Sequence, residues 1–367
     1  MILQGFLRIL SFFDVAEAIE MEKLRVILGP EATPRSPAFT HRSPEYAQTQ
    51  QHAPIVESVG PVTLSTGEKL EARIKYYWFG VVDIELATEF KCDFNSLCVQ
   101  TYRWMNAPEV EQAAEALLRA RLDRFRPVLI KPSEKWLDDD YLVIDIESAQ
   151  HTDGRPATGV EMLQSYADQI TQLVRGELMP LATSERDEIV RSALSYYPSD
   201  LVVVGWAAAL VYDKPDATPA AIDLLEYANT QLLEFRYYDE LLDRELASIY
   251  ARLQRPRWLE SWIGARYAGA ARQVHALFID VNELTDRTEN ALKFIGDIYA
   301  ARLFALVADR LGLNRWKGNV QEKLETLDDI YRFAVEQSSM ARGQFLELTV
   351  VVILILELVL IMMGVMK

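Results

Sequence analysis

The sequence is short of cysteine, of histidine and of positive charge. Two cysteines in 367 residues, Cys92 and Cys98, exclude a disulfide-stapled scaffold. Their segment, KCDFNSLC, lacks zinc-knuckle spacing and has no histidine nearby, so two small core thiols explain it. The four histidines, His41, His52, His151 and His275, are scattered. Lysine and arginine total 38 against 54 acidic residues, a net charge of −16 with no basic tract. Nucleic-acid binding needs phosphates to be neutralised, so nucleic acid is excluded as a partner. No P-loop, G-x-S-x-G or G-x-G-x-x-G is present. The residues therefore assign no catalytic group, no cofactor and no metal, and an enzyme is not the expected class. Fifteen prolines and sixteen glycines are too few for a collagen-like or wholly disordered chain. With 50% hydrophobic and 25% charged residues, the composition is that of a folded protein of about two or three domains.

The pattern along the chain predicts an α+β protein. Its parts are an N-terminal mixed α/β domain, a long antiparallel helical hairpin or coiled coil, and one C-terminal transmembrane helix. Residues 1–29 read as a strand, RILSFFDV, and a helix from Ala16 to Leu28 ended by Gly29-Pro30. Arg8 interrupts the apolar part and no basic region precedes it, which argues against a signal peptide. Residues 30–54 are rich in Pro, Ser, Thr and Gln and form a linker or loop. Residues 55–213 continue the α+β domain. They include a hairpin about Thr66-Gly67, the run YYWFGVVDIELA, an amphipathic helix from Pro108 to Leu122, and the strand YLVIDIES. Helices are expected over Gly159 to Leu178 and Ser184 to Leu194, then one apolar central strand from Asp200 to Asp213. From residue 214 to 344 apolar residues recur at 3-4 spacing in three long segments, the stalk. The third segment runs into the tail as one helix of about 50 residues.

The tail, residues 345–366, reads FLELTVVVILILELVLIMMGVM. As a helix its 22 residues reach ~33 Å, enough for a bilayer core. With Lys367 alone after it, the layout is that of a tail-anchored, single-pass membrane protein whose soluble part lies in the cytoplasm. Glu357 sits mid-span, where an ionised side chain is costly. Glu357, with Glu347 near the interface, is the candidate for association within the membrane. Trp258 and Trp262, at i, i+4 among arginines in RPRWLESWIGAR, are candidates for the membrane interface. The implied partners are membrane lipid and either further copies of the chain or another membrane protein.

NVQEKLETLDDIY, then LELTVVVILILELVLIMMG, with YYWFGVVDIEL and LVVVGWAAALVYD upstream, resemble the "required for meiotic nuclear division" or YagE-like family over about residues 60–366. The most specific cue is Leu346-Glu347, the apolar run and Glu357. The family often has Trp after the first Glu, where this chain has Leu348-Thr349. The resemblance implies a membrane-anchored protein without established chemistry, whose eukaryotic members are mitochondrial and linked to translation. Without a transit peptide, the chain is more similar to a bacterial relative.

Two strands repeat an acidic pattern, Val82-Asp83-Ile84-Glu85 and Ile144-Asp145-Ile146-Glu147. A period of 2 places each acidic pair on one face. Alternation alone accounts for this, with Val82, Ile84, Ile144 and Ile146 inward and Asp83, Glu85, Asp145 and Glu147 in water. Four converging carboxylates would instead suit Mg²⁺ or Ca²⁺. Two functions follow. The first is a tail-anchored binding or scaffold module at the membrane surface. The alternative is a membrane-tethered, metal-dependent enzyme using these acids.

Overall fold

The computed structural model describes residues 1–29, 32–34, 53–215, 217–254, 278–279, 281–282 and 298–362. They divide into two compact units, Met1–Glu234 with Thr288–Asn314, and Phe235–Arg287 with Arg315–Lys367.

The first unit is built on one sheet of nine strands in the order β2-β3-β4-β5-β1-β6-β9-β8-β7. Its centre is β1 (Ile2–Ile19), paired antiparallel with β5 (Val81–Cys92) and β6 (Leu129–Gln150). On one side β4 (Lys69–Tyr76), β3 (Ile55–Thr63) and β2 (Ala32–Pro34) follow. On the other, β9 (Ala208–Tyr212) runs parallel to β6, then β8 (Leu201–Val204) and β7 (Ala193–Leu194) complete the sheet. Thr66-Gly67 does turn the chain between β3 and β4, with Gly67 at φ +89°. The apolar run from Asp200 is corrected to a hairpin of β8 and β9, because Gly205 reverses the chain and its N–H bonds Ala208 at 2.8 Å.

Helices α1 (Met21–Leu28), α2 (Phe94–Met105), α3 (Pro108–Phe125), α4 (Gly159–Ser165), α5 (Ala167–Arg175) and α6 (Thr183–Arg191) accompany the strands. Asp93 caps α2 by accepting the Ser96 N–H at 2.8 Å, and Thr158 with Glu161 forms a capping box on α4. The expected helix from Gly159 to Leu178 is in fact two, broken at Tyr166 and stopped by left-handed Gly176. The expected start of α1 at Ala16 also moves, since Ala16 and Ala18 pair with Pro132 and Ile130 as part of β1.

One sheet face packs Leu7, Ile9, Phe13, Ile74, Ile84 and Ile144 against α1 to α6. The opposite face carries Leu10, Phe12, Tyr141, Val143, Val202 and Val211, and these are buried too. Its cover includes the first turns of α7 (Thr218–Gln254), where Ala221, Ile222, Leu225 and Ala228 are buried. Helix α8 (Ile298–Arg310) lies against β8, and its Phe304 ring contacts Tyr227 of α7. Strands buried on both faces are apolar at successive positions, which is why β8 (LVVV) and β9 (AALVY) lack simple alternation.

The second unit contains the distal part of α7 and α9 (Leu313–Met362). Lys323 of α9 bridges Asp239 and Asp243 of α7, each at 2.7 Å, beside buried Leu242, Leu324 and Leu327. The expected second long helix lies mostly outside the described residues, apart from α8.

Among the described residues no helix is long and apolar enough to cross a membrane. This overturns the transmembrane helix at residues 345–366, and with it the tail anchor, the membrane location and the scaffold at a membrane surface. The apolar end of α9 is the last part of a 50-residue helix, Leu313–Met362. It contains Glu347 and Glu357.

Gly5 lies where β1 and β6 shift register, and a Cβ there would overlap the Asp145 carbonyl oxygen. Gly5→Ala should therefore cost roughly 1–3 kcal/mol, as overpacking does in a close-packed interior. Gly318→Ala in α9 meets nothing within 4 Å and should raise stability by about 0.5–1 kcal/mol through helix propensity. Urea unfolding of both variants checks the contrast.

Candidate functional site

The acidic strands do not face water. Asp83, Glu85 and Asp145 are all buried, and only Glu147 is exposed. The correction follows from the second face of the sheet, which α7 covers. Register sets the constellation. On β4 and β5, Lys75 stands opposite Asp83 and Arg73 opposite Glu85. On β1, Leu10 stands opposite Glu85, and Arg8 is two residues away on the same face. Asp145 comes from β6, opposite Phe6.

Arg8 is the centre of the strand-borne group. Its Nη1 donates to Glu85 Oε1 at 2.5 Å, while Nε and Nη2 donate to Asp145 Oδ2 at 3.0 and 2.8 Å. Arg73 approaches Glu85 at 3.8 Å from a half-exposed position. Lys75, 4% exposed, reaches across to α7, donating to Glu226 and, at 3.4 Å, to Asp223. Asp223 and Glu226 lie at i, i+3 on one face of the helix. Between the strands and α7 is a cavity of about 260 Å³. Arg8, Lys75, Glu85, Asp145 and Asp223 line it, with Pro215, Pro219 and Ile222 on its apolar side.

The cluster has more acid than base. Three cations, Arg8, Arg73 and Lys75, meet five carboxyls, Asp83, Glu85, Asp145, Asp223 and Glu226. Both oxygens of Asp83, Oδ1 of Asp145, Oδ2 of Asp223 and Oε1 of Glu226 are buried with no hydrogen-bond partner. Burial pushes the Asp83 carboxyl well above the usual range, and Glu226 adds to that. Burial also raises Glu226 to about 7 against the pull of Lys75. Asp145 is raised by burial despite Arg8. Glu85 also pays for desolvation, but the charges of Arg8, Lys75 and Arg73 outweigh it and hold the carboxyl below its ordinary range. Burial lowers Lys75, but Glu226, Asp223, Asp83 and Glu85 outweigh it and raise the ammonium.

The metal alternative finds no support in this geometry. Among the described residues no group of three His, Cys, Asp or Glu side chains is placed to hold a metal ion. The membrane-directed candidates lie elsewhere. Glu347 and Glu357 are exposed on α9, and Trp258 and Trp262 lie outside the described residues. Cys92 and Cys98 are free, and burial pushes the Cys98 thiol up to about 11. Sequence reasoning missed Arg8, Lys75, Asp223 and Glu226. A signal was present in α7, where Glu226, Asn229, Thr230, Gln231 and Glu234 break an apolar helix and are all buried.

Lys75→Met should destabilise the protein by about 3–5 kcal/mol at pH 8, since it strands buried acids without their cation. Adding Glu226→Leu should recover part of that loss in urea unfolding. A second buried acid, Asp14, is raised to about 7 by burial alone. Between its unfolded pKa, about 4, and 7 the native state holds a proton that the unfolded chain has lost. Its contribution to stability is therefore full below about pH 4 and disappears as pH rises through 7. Asp14→Asn should flatten the fall in unfolding free energy between pH 5 and pH 8, a difference on the order of 3 kcal/mol.

No solved structure matches the chain. Uncharacterized protein MJ0711 of Methanocaldococcus jannaschii is 26% identical over 191 residues, 52% of this chain. That match spans 58% of the relative's own length. The family described as "Uncharacterized protein MJ0711, N-terminal domain" matches residues 4–218, which takes in every strand of the sheet. Nothing in these matches links the chain to the "required for meiotic nuclear division" family, and that resemblance is withdrawn. With well over half of its residues matched, the chain belongs to the MJ0711 N-terminal domain family.

Proposed function

We propose that the protein works by binding a small charged ligand in the cavity between the central strands and the first turns of α7. The observation that carries this reading is the set of buried carboxylate oxygens without partners, two of which, on Asp145 and Asp223, belong to residues that line the cavity. Buried polar atoms in folded proteins are nearly all hydrogen-bonded, so such a set marks a place where a partner is missing.

The same residues tie α7 to the sheet. Lys75 joins β4 to Asp223 and Glu226, and Asp223 also lines the cavity. A ligand that contacts Asp223 therefore competes with, or adds to, the contacts that hold α7. Binding free energy is then expressed as a change in how firmly residues 218–234 are held. This gives the sheet a means of reporting occupancy through a helix that continues to Gln254.

The test is hydrogen–deuterium exchange on the full chain with a panel of small cationic, anionic and zwitterionic compounds. At least one should change exchange over residues 218–234 in a saturable way, and Asp223→Asn should weaken that response at least tenfold. If no compound in the panel alters exchange there, the cavity is a structural gap and the reading fails.

A further inference from the structure

Resting on the reading of this cavity as a ligand site, we propose that its ligand is a small organic cation, a short aliphatic amine carrying one or two ammonium groups. The argument begins with the kind of atom left over. Every unpartnered side-chain atom of the strand and α7 cluster is a carboxylate oxygen: Asp83 Oδ1 and Oδ2, Asp145 Oδ1, Asp223 Oδ2 and Glu226 Oε1. The buried donors are already used, while Arg73 lines the cavity from a half-exposed position, 3.8 Å from Glu85. Arg8 is committed to Glu85 and Asp145, and Lys75 to Asp223 and Glu226. Among the cavity's lining residues, Asp145 and Asp223 each keep a buried oxygen without a donor, and an ionised carboxylate can only accept. An anionic ligand would add acceptors to a cluster that already has too many.

The Asp145 side chain is 3% exposed, lines the cavity, and keeps Oδ1 free while Oδ2 takes Arg8. That is a buried acceptor held in place by its other oxygen. Asp223, 13% exposed, offers a second free oxygen from the α7 side. An ammonium group carries three N–H donors and can serve such an oxygen.

A divalent metal would also neutralise acid, but it needs several oxygens converging on one point. Among the described residues no such group of three exists. Directional N–H donors fit separated oxygens where a metal does not. Pro215, Pro219 and Ile222 supply an apolar wall against which methylene groups can lie. The volume, about 260 Å³, is below that of drug-sized pockets and sets the ligand to a small aliphatic molecule. The chain's charge of −16 supplies a field that favours entry of cations.

The experiment is a thermal-shift and calorimetric titration of the full chain with 1,4-diaminobutane and butylamine. Sodium chloride at matched ionic strength, magnesium chloride, butyrate and inorganic phosphate serve as comparisons. The amines should stabilise the protein saturably, and the salts at equal ionic strength should not. Asp145→Asn should weaken amine binding at least tenfold. Asp223→Asn, at a less buried position, is the second variant should Asp145→Asn fail to fold, and should weaken it at least fivefold. Asp139→Asn, outside the cavity, should bind as wild type does. Equal stabilisation by amine and by sodium chloride would overturn the inference, as would undiminished amine binding in both cavity variants. Saturable binding of phosphate or butyrate with none of amine would overturn it while leaving the cavity a ligand site. Binding of nothing, together with unchanged exchange over residues 218–234 across the wider panel, would remove both readings.

Discussion

Lys75 is buried in a sheet that is covered on both faces, and its partners come from far along the chain. The ammonium has left water almost completely. Such a group is tolerated only when opposite charge and hydrogen bonds replace its hydration. Asp223 and Glu226 provide both, and they arrive only after the chain has completed nine strands and begun α7. The second face of the sheet and the first turns of α7 are therefore stable together or not at all. A hydrophobic pair in the same place could be as stable, or more so. The charged version fixes which turn of α7 stands over β4, since a helix shifted by one residue would carry its carboxyls away from Lys75.

Arg8 has the corresponding role on the strands. It sits on the central strand and divides its guanidinium between Glu85 on one neighbour and Asp145 on the other. A planar fork serves two carboxylates in defined directions, where a lysine would act as a point charge. This leaves Asp145 with one oxygen fixed and one available. It also explains why Glu85 stays ionised while Asp83, one alternation along the same strand, is driven toward its neutral form. Two acids of similar burial are separated by the cations that reach them.

Much of the sheet could be inferred from local pattern. The turn at Thr66-Gly67, the apolar strands and the amphipathic helix beginning at Pro108 are all local signals, and the structure contains each of them. The site could not be inferred in that way. Alternation in Val82-Asp83-Ile84-Glu85 describes two faces of a strand but does not say whether the second is wet. That depends on α7, whose Asp223 is 148 residues from Lys75 in sequence. The informative residues were Lys75, buried at the end of the alternating strand KLEARIKY, and the buried polar stripe from Glu226 to Glu234, neither of which has meaning until the two are placed together. The tail misled for a different reason. Its apolar composition suggests a span, whereas no described helix is long and apolar enough to cross a membrane, and the stretch carries two carboxylates.

The charge balance of the site also divides at an informative place. The strand-borne part of the cluster has three buried acids, Asp83, Glu85 and Asp145, beside Arg8, Arg73 and Lys75. Glu147, on the same face, is exposed at the rim. All of these fall within the residues matched by the family, 4–218. The α7 residues Asp223 and Glu226 fall beyond it. Closing α7 over this group therefore does two things in one step. It gives Lys75 its partners, and it brings in two further carboxyls, so that five stand beside three cations. The acidity is a product of assembly, not of the sheet. A ligand that supplies positive charge is thus favoured only once the helix is in place, and in turn favours keeping it there, because the excess it relieves exists only in the closed arrangement.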